Sequence, residues 1–221
     1  MRSSAELAAY LRRRGVDDER VLEAIARVPR ELFVPEELRG RAYDDRALPI
    51  GHDQTISQPY MVAAICTALE LRGDERVLDI GTGSGYQAAV LAELAAEVVT
   101  IERVPELAEQ ARAALARAGY GKVGVHVGDG TLGVPERAPF DAIAVAAAAP
   151  AVPDALYEQL APGGRLVIPV GTRYDQWLEV VVRGPRGPEH RRSVPCRFVP
   201  LLGAGGFGAD RPGYPSQREG S

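Results

Sequence analysis

From Arg76 onward, short apolar β-branched runs alternate with helix-patterned segments, and this alternation constrains the fold more than any other feature. Residues 76–80, 97–102, 122–127, 140–146 and 164–170 read as strands, each short, apolar and bounded by Gly, Pro or charge. Residues 85–94, 105–118 and 154–160 read as helices between them. That order predicts an α/β fold of Rossmann-like type, a doubly wound and mostly parallel sheet with helices on both faces. Residues 177–183 and about 192–199 read as added strands joined by a turn at 184–188.

Two helices are expected ahead of the sheet, over 4–14 and 17–28, with Leu7, Leu11, Val21, Leu22 and Ile25 at helical spacing and Asp17 placed to cap the second. A polar, glycine-started loop at 51–57 leads to a helix running to about Leu71, with Ser57 placed as its cap and Pro59 tolerated in the first turn. The 221 residues fit one domain, 1–208, with an N-terminal helical part at 1–71, an active-site loop at 51–59 and an α/β part at 72–208. Residues 209–221, rich in Gly, Pro and polar groups, read as a flexible tail.

The sharpest local signal is Asp79-Ile80-Gly81-Thr82-Gly83-Ser84-Gly85, which follows a strand and opens a helix. Glycines at 81, 83 and 85 let the backbone turn tightly and approach a ligand. The third glycine comes one residue earlier than in the dinucleotide-binding pattern, and an acid beside the turn disfavours a pyrophosphate while suiting a cationic amine. Glu102 ends the next strand, where a carboxylate can accept from ribose hydroxyls or simply face solvent. Asp129 and Gly130 end the third, where a carboxylate can accept from an adenine amine or close an Asx turn. All three acids fall at carboxyl ends of neighbouring strands, and together they fit S-adenosylmethionine better than NAD.

Beyond these residues, the stretches VPRELFVP, AYDDRALPIGHDQTISQPYMVA, VLDIGTGSGYQAAVLA, GDGTLGVPERAPFDAI and RFVPL resemble the protein-L-isoaspartate O-methyltransferases, from Val28 to about Gly203. TISQP carries more of that likeness than the glycine loop, which methyltransferases share widely. The resemblance implies an S-adenosylmethionine-dependent methyltransferase that esterifies the free carboxylate of L-isoaspartyl residues in damaged proteins and peptides, leaving S-adenosylhomocysteine. The ester then cyclises to a succinimide, which starts repair. It also implies Ser57 as the catalytic residue, set against the reactive carboxylate. Thr55, Ile56, Asp79, Gly81, Gly83, Glu102, Arg103, Asp129 and Gly130 are then the cofactor contacts, and Thr55, Ser57, Val199 and Leu202 the substrate contacts. Ala146 and Ala147 stand where the family shows Gly, Thr or Ala, a departure that removes no charged group. A carboxylate with pKa near 4 is ionised at neutral pH, so no general base is required. On the residues alone Ser57 reads equally as a helix cap, and the two roles are compatible because a helix N-terminus also seats a carboxylate.

A net charge of −4 argues against a nucleic-acid partner. The longest apolar run, 142–152, contains Pro150 and is too short for a bilayer, so no membrane partner is expected. Cys66 and Cys196 form no ligand or disulfide pattern, and His52, His126 and His190 no metal spacing, so a cytoplasmic, metal-free protein is expected; a monomer is a separate expectation. Three other readings keep much of the fold: a relative that installs a succinimide in a dedicated precursor peptide, an inactive cofactor-binding interaction module, and an NAD-dependent oxidoreductase.

Overall fold

The structure, a computed structural model, describes residues 1–172 and 174–208; the expected tail at 209–221 lies outside the described residues. Helix α1 (Ser4–Arg13) starts where the Ser3 hydroxyl accepts from the Glu6 N–H, and α2 (Glu19–Arg27) where the Asp18 carboxylate accepts from the Val21 N–H. Asp18 rather than Asp17 is therefore the second cap, since only a side chain three residues ahead of Val21 reaches that N–H. Their apolar faces, Leu7 and Leu11 on one and Val21, Leu22 and Ile25 on the other, are buried.

Two 3-10 turns (Arg30–Phe33 and Glu36–Arg41) lead into a hairpin of β1 (Leu48–Gly51) and β2 (Gln54–Ile56). The stretch expected as an open loop is thus largely a hairpin. Its turn residues His52 and Asp53 both have left-handed φ, 51° and 56°, the combination whose twist matches paired strands. Helix α3 (Pro59–Leu69) then begins one residue later than expected, with Gln58 at its N-cap and Pro59 at a position where a missing N–H costs nothing.

The main sheet holds β3 (Arg76–Ile80), β4 (Glu97–Glu102), β5 (Gly124–Val127), β6 (Phe140–Val145), β7 (Leu160–Gly171), β8 (Gln176–Gly184) and β9 (Gly187–Cys196), in the order β5-β4-β3-β6-β7-β8-β9. The first five positions pair in parallel and β8 and β9 join antiparallel. The last strand covers 187–196 rather than 192–199, because the 184–187 reversal sets its start.

Alternation along the strands divides the core. Val77, Val98, Ala142 and Val167 turn to the face packed by α4 (Tyr86–Ala92), α5 (Pro105–Arg117) and the N-terminal helices. Leu78, Ile80, Val99, Ile101 and Ile143 turn to the other. That second face carries one short helix, α6 (Asp154–Glu158), with 3-10 turns and the segment around Leu201, so helical cover is unequal. Gly133, Pro135 and Pro139 punctuate the connection from β5 to β6 and stop a helix from forming there. The chain runs from β3 outward to β5 and then returns to β6 on the opposite side of β3. The crevice beyond the carboxyl ends of β3 and β6 is the topological switch point, where such sheets bind ligands. No helix among the described residues is long and apolar enough to cross a membrane.

Candidate active site

A cleft partly open to solvent lies at this switch point, and Gly81, Gly83, Glu102, Arg103 and Gly130 border it. Gly81 and Gly83 have φ of 89° and 52°, values that side-chain-bearing residues rarely adopt. Gly85 serves packing instead: it starts α4 with φ 88°, and a Cβ there would press on Leu115 of α5 at 3.1 Å.

Glu102 is buried, with Oε2 accepting from the Gly83 N–H at 2.8 Å and Oε1 from the Val104 N–H at 3.0 Å. Each oxygen keeps capacity for a further donor. Asp79 departs from expectation. It is wholly enclosed, accepting from Gln87 Nε2 at 2.8 Å and Thr100 Oγ1 at 2.9 Å, and it does not border the cleft. Burial pushes its carboxyl up to about 6, against the pull of those two hydrogen bonds. Alternation along β3 turns its side chain under the loop, so Gln87 and Thr82 face the cleft in its place, with Thr82 and Thr100 hydroxyls 2.7 Å apart. Because an ionised carboxylate only accepts, Gln87 turns its amide nitrogen to Asp79, leaving a buried Oε1 without a partner.

Asp129 likewise does not border the cleft. Its Oδ1 accepts from the N–H and hydroxyl of Thr131, and Oδ2 from the Ala204 N–H at 2.8 Å. Burial pushes this carboxyl up, but those donors and nearby Arg103 outweigh it and hold the group below its ordinary value. The Asx-turn alternative is what the structure contains, and Gly130 supplies the cleft wall. Asp129 also ties down the segment 199–205: Gly205 N–H donates to Thr131 Oγ1, and Ala148 exchanges backbone hydrogen bonds with Val199 and Leu201.

Thr55, Ile56 and Ser57 form the opposite wall, with Val199 and Leu202 beside them. Ser57, with Thr55, Ala146 and Val199, also borders a second cleft whose other walls include Arg14, Tyr60, Arg197 and Phe198. The Ser57 side chain does not cap α3. That helix start is taken by Asp45, which accepts from the Tyr60 N–H at 2.9 Å and from Gln58 Nε2 at 3.2 Å and pairs with Arg14 at 2.5 Å. The expectation that the α3 N-terminus itself seats a substrate carboxylate therefore fails, because a resident carboxylate fills it. Sequence reasoning also missed Gln87, a polar residue on the otherwise apolar start of α4, and Thr82, inside the glycine turn. No group of three His, Cys, Asp or Glu among the described residues is arranged to hold a metal ion.

The family model described as protein-L-isoaspartate(D-aspartate) O-methyltransferase (PCMT) matches residues 2–205. The chain is 61% identical over 196 residues to protein-L-isoaspartate O-methyltransferase 2 of Marinobacter nauticus, covering 88% of this chain and 90% of that one. It is 56% identical over 194 residues to protein-L-isoaspartate O-methyltransferase 1 of Syntrophobacter fumaroxidans, covering 88% and 91%. A Plasmodium falciparum structure of the PCMT type, in complex with S-adenosyl-L-homocysteine, superposes with a TM-score of 0.82 at 27% identity, over 91% of this chain and 99% of that one.

Proposed function

The chain belongs to the protein-L-isoaspartate(D-aspartate) O-methyltransferase family, and from that premise we propose how its residues carry out the reaction. It is an S-adenosylmethionine-dependent enzyme that methylates the free carboxylate of L-isoaspartyl residues. The first cleft suits the cofactor: a glycine cradle, a carboxylate with lone pairs to spare at Glu102, and the orphaned Gln87 Oε1 as an acceptor for an ammonium. When bound, the cofactor supplies a methyl group on a positively charged sulfur. Glu102 would accept from the ribose hydroxyls, and the Gly81–Gly83 backbone would hold the amino-acid portion. Ile101, Gly130 and Leu201 offer an apolar slot for the base.

The second cleft takes the polypeptide, with its isoaspartyl side chain entering past Thr55 and Val199. Ser57 donates a hydrogen bond to the carboxylate and aims one oxygen along the line of displacement. Alignment of this kind can contribute about 7–11 kcal/mol to lowering the barrier, which explains how a site without a basic partner for Ser57 suffices. One observation carries the reading: Ser57 borders both clefts, and its hydroxyl makes no hydrogen bond with any described residue. Both clefts are built from one chain, so a monomer suffices, and sizing chromatography at assay concentration checks that.

A hydrogen bond to a charged group is worth about 1.5–3 kcal/mol, so Ser57→Ala should lower kcat/KM on an isoaspartyl peptide by roughly 10–100-fold. Calorimetry should find its S-adenosylhomocysteine affinity unchanged, and the aspartyl version of the same peptide should not react with either protein. Full turnover by the alanine variant would remove Ser57 from the mechanism.

A further inference from the structure

Arg30 stands in the first 3-10 turn and has no exposed surface. Its Nε donates to the Ala42 carbonyl and its Nη2 to the Ser57 carbonyl, both at 2.8 Å. The guanidinium lies over the ring of Tyr86, 4.6 Å from its centroid, and Tyr86 is the first residue of α4 after the glycine loop. Nη1 has no partner, and Arg30 forms no ion pair among the described residues. Asp45, whose charge acts on Arg30, is committed to Arg14 and the α3 N-terminus.

A buried cation without a counter-ion costs several kcal/mol, and an apolar residue of similar volume would avoid that cost. Burial brings the guanidinium down only to about 10, so it stays charged at neutral pH. The charge is placed behind the one serine that borders both clefts, while the resident carboxylate of Asp45 would repel an incoming anion. A positive group beneath Ser57 offsets that repulsion, and its bond to the Ser57 carbonyl fixes the backbone from which the hydroxyl projects.

We propose that Arg30 is a positioning residue for the methyl-accepting carboxylate, holding Ser57 through its carbonyl and supplying the positive potential that draws an anion to the Ser57 hydroxyl. The proposal rests on Ser57 contacting that carboxylate, so Ser57→Ala is measured alongside. Arg30→Met keeps the volume and removes the charge. Its S-adenosylhomocysteine affinity should stay within a factor of about three of wild type, while KM for an isoaspartyl peptide rises on the order of tenfold and kcat falls less.

Arg30→Lys keeps a charge, but burial lowers the pKa of a lysine strongly. Its kcat/KM should therefore approach the wild-type value at pH 6 and fall away from the wild-type curve toward pH 9. The groups facing position 30 are Tyr86 on α4, Tyr43 and Asp45 ahead of β1, and Cys66 behind Tyr86 on α3. Burial raises Tyr43 and Tyr86 to about 12 and pushes the Cys66 thiol up as well, so these three do not titrate in that window. Wild-type kinetics in Arg30→Met beside an impaired Ser57→Ala would overturn the proposal alone; an unimpaired Ser57→Ala would overturn it together with the reading it rests on. If Arg30→Met fails to fold, seen as lost cofactor binding, the lysine profile decides, and a profile parallel to wild type would reject the electrostatic role.

Discussion

The two walls of the active site are built on opposite plans. On the glycine-loop side the polar groups are mostly bonded to one another before any ligand arrives: Glu102 to Gly83 and Val104, Asp79 to Gln87 and Thr100, Thr100 to Thr82. On the Ser57 side the hydroxyl is uncommitted and the support comes from behind, from Arg30 under the serine carbonyl and Asp45 on the start of α3. A small, invariant ligand rewards a wall whose donors are fixed in advance. A polypeptide whose neighbouring residues vary rewards one fixed contact in an otherwise open cleft.

The largest test of that contrast is Glu102→Ala, which frees two backbone N–H groups and removes the proposed ribose acceptor. Losing bonds worth about 3 kcal/mol in sum should weaken S-adenosylhomocysteine binding roughly 100-fold by calorimetry. Affinity within threefold of wild type would mean that the glycine-loop wall is not pre-arranged as described. Asp45→Asn is expected to be milder. Asn still caps α3 but loses the pair with Arg14, so thermal unfolding should fall by about 2–4 °C, as about 1 kcal/mol predicts for a chain of this size. Cofactor affinity should not change, and a loss of it would show that the two walls are not separately supported.

Asp79→Asn has an effect of similar size that shows only as a pH dependence, with a definite sign. The folded carboxyl, raised to about 6 from an ordinary 3.8, binds protons more readily than the unfolded one. This group therefore favours the ligand-free fold most at low pH, and that contribution is lost as pH rises through about 6. The Asn variant lacks the loss, and Gln87 and Thr100 can turn to satisfy its amide. Its melting temperature relative to wild type should be higher at pH 8 than at pH 5, by the equivalent of about 1 kcal/mol. A flat or reversed difference would contradict an Asp79 carboxyl raised by burial.

Strand and helix periodicity placed β3, β4, β6 and α5 closely, and it put Glu102 and the glycine turn at the correct edge of the sheet. The β1–β2 hairpin was hidden because its turn is His52-Asp53 rather than a glycine-containing pair, and its strands of four and three residues are too short for alternation to register. Asp79 and Asp129 show what strand position alone leaves open. Both stand at the carboxyl ends of their strands, yet one faces under the loop and the other is spent on Thr131 and Ala204, distinctions set by side-chain direction and by residues 75 apart in the chain. Arg30 stands in VPRELFVP, but nothing local marks a buried arginine in a chain where arginine nearly replaces lysine.

The segment from Val199 to Gly205 is pinned at Asp129 and Thr131, close to the cofactor cleft, and presents Val199 to the peptide cleft as well. A single piece of chain thus serves as a party wall between two tenants. Thermodynamic reciprocity then governs them: by whatever factor the nucleoside tightens the hold on a damaged peptide, the peptide tightens the hold on the nucleoside by the same factor.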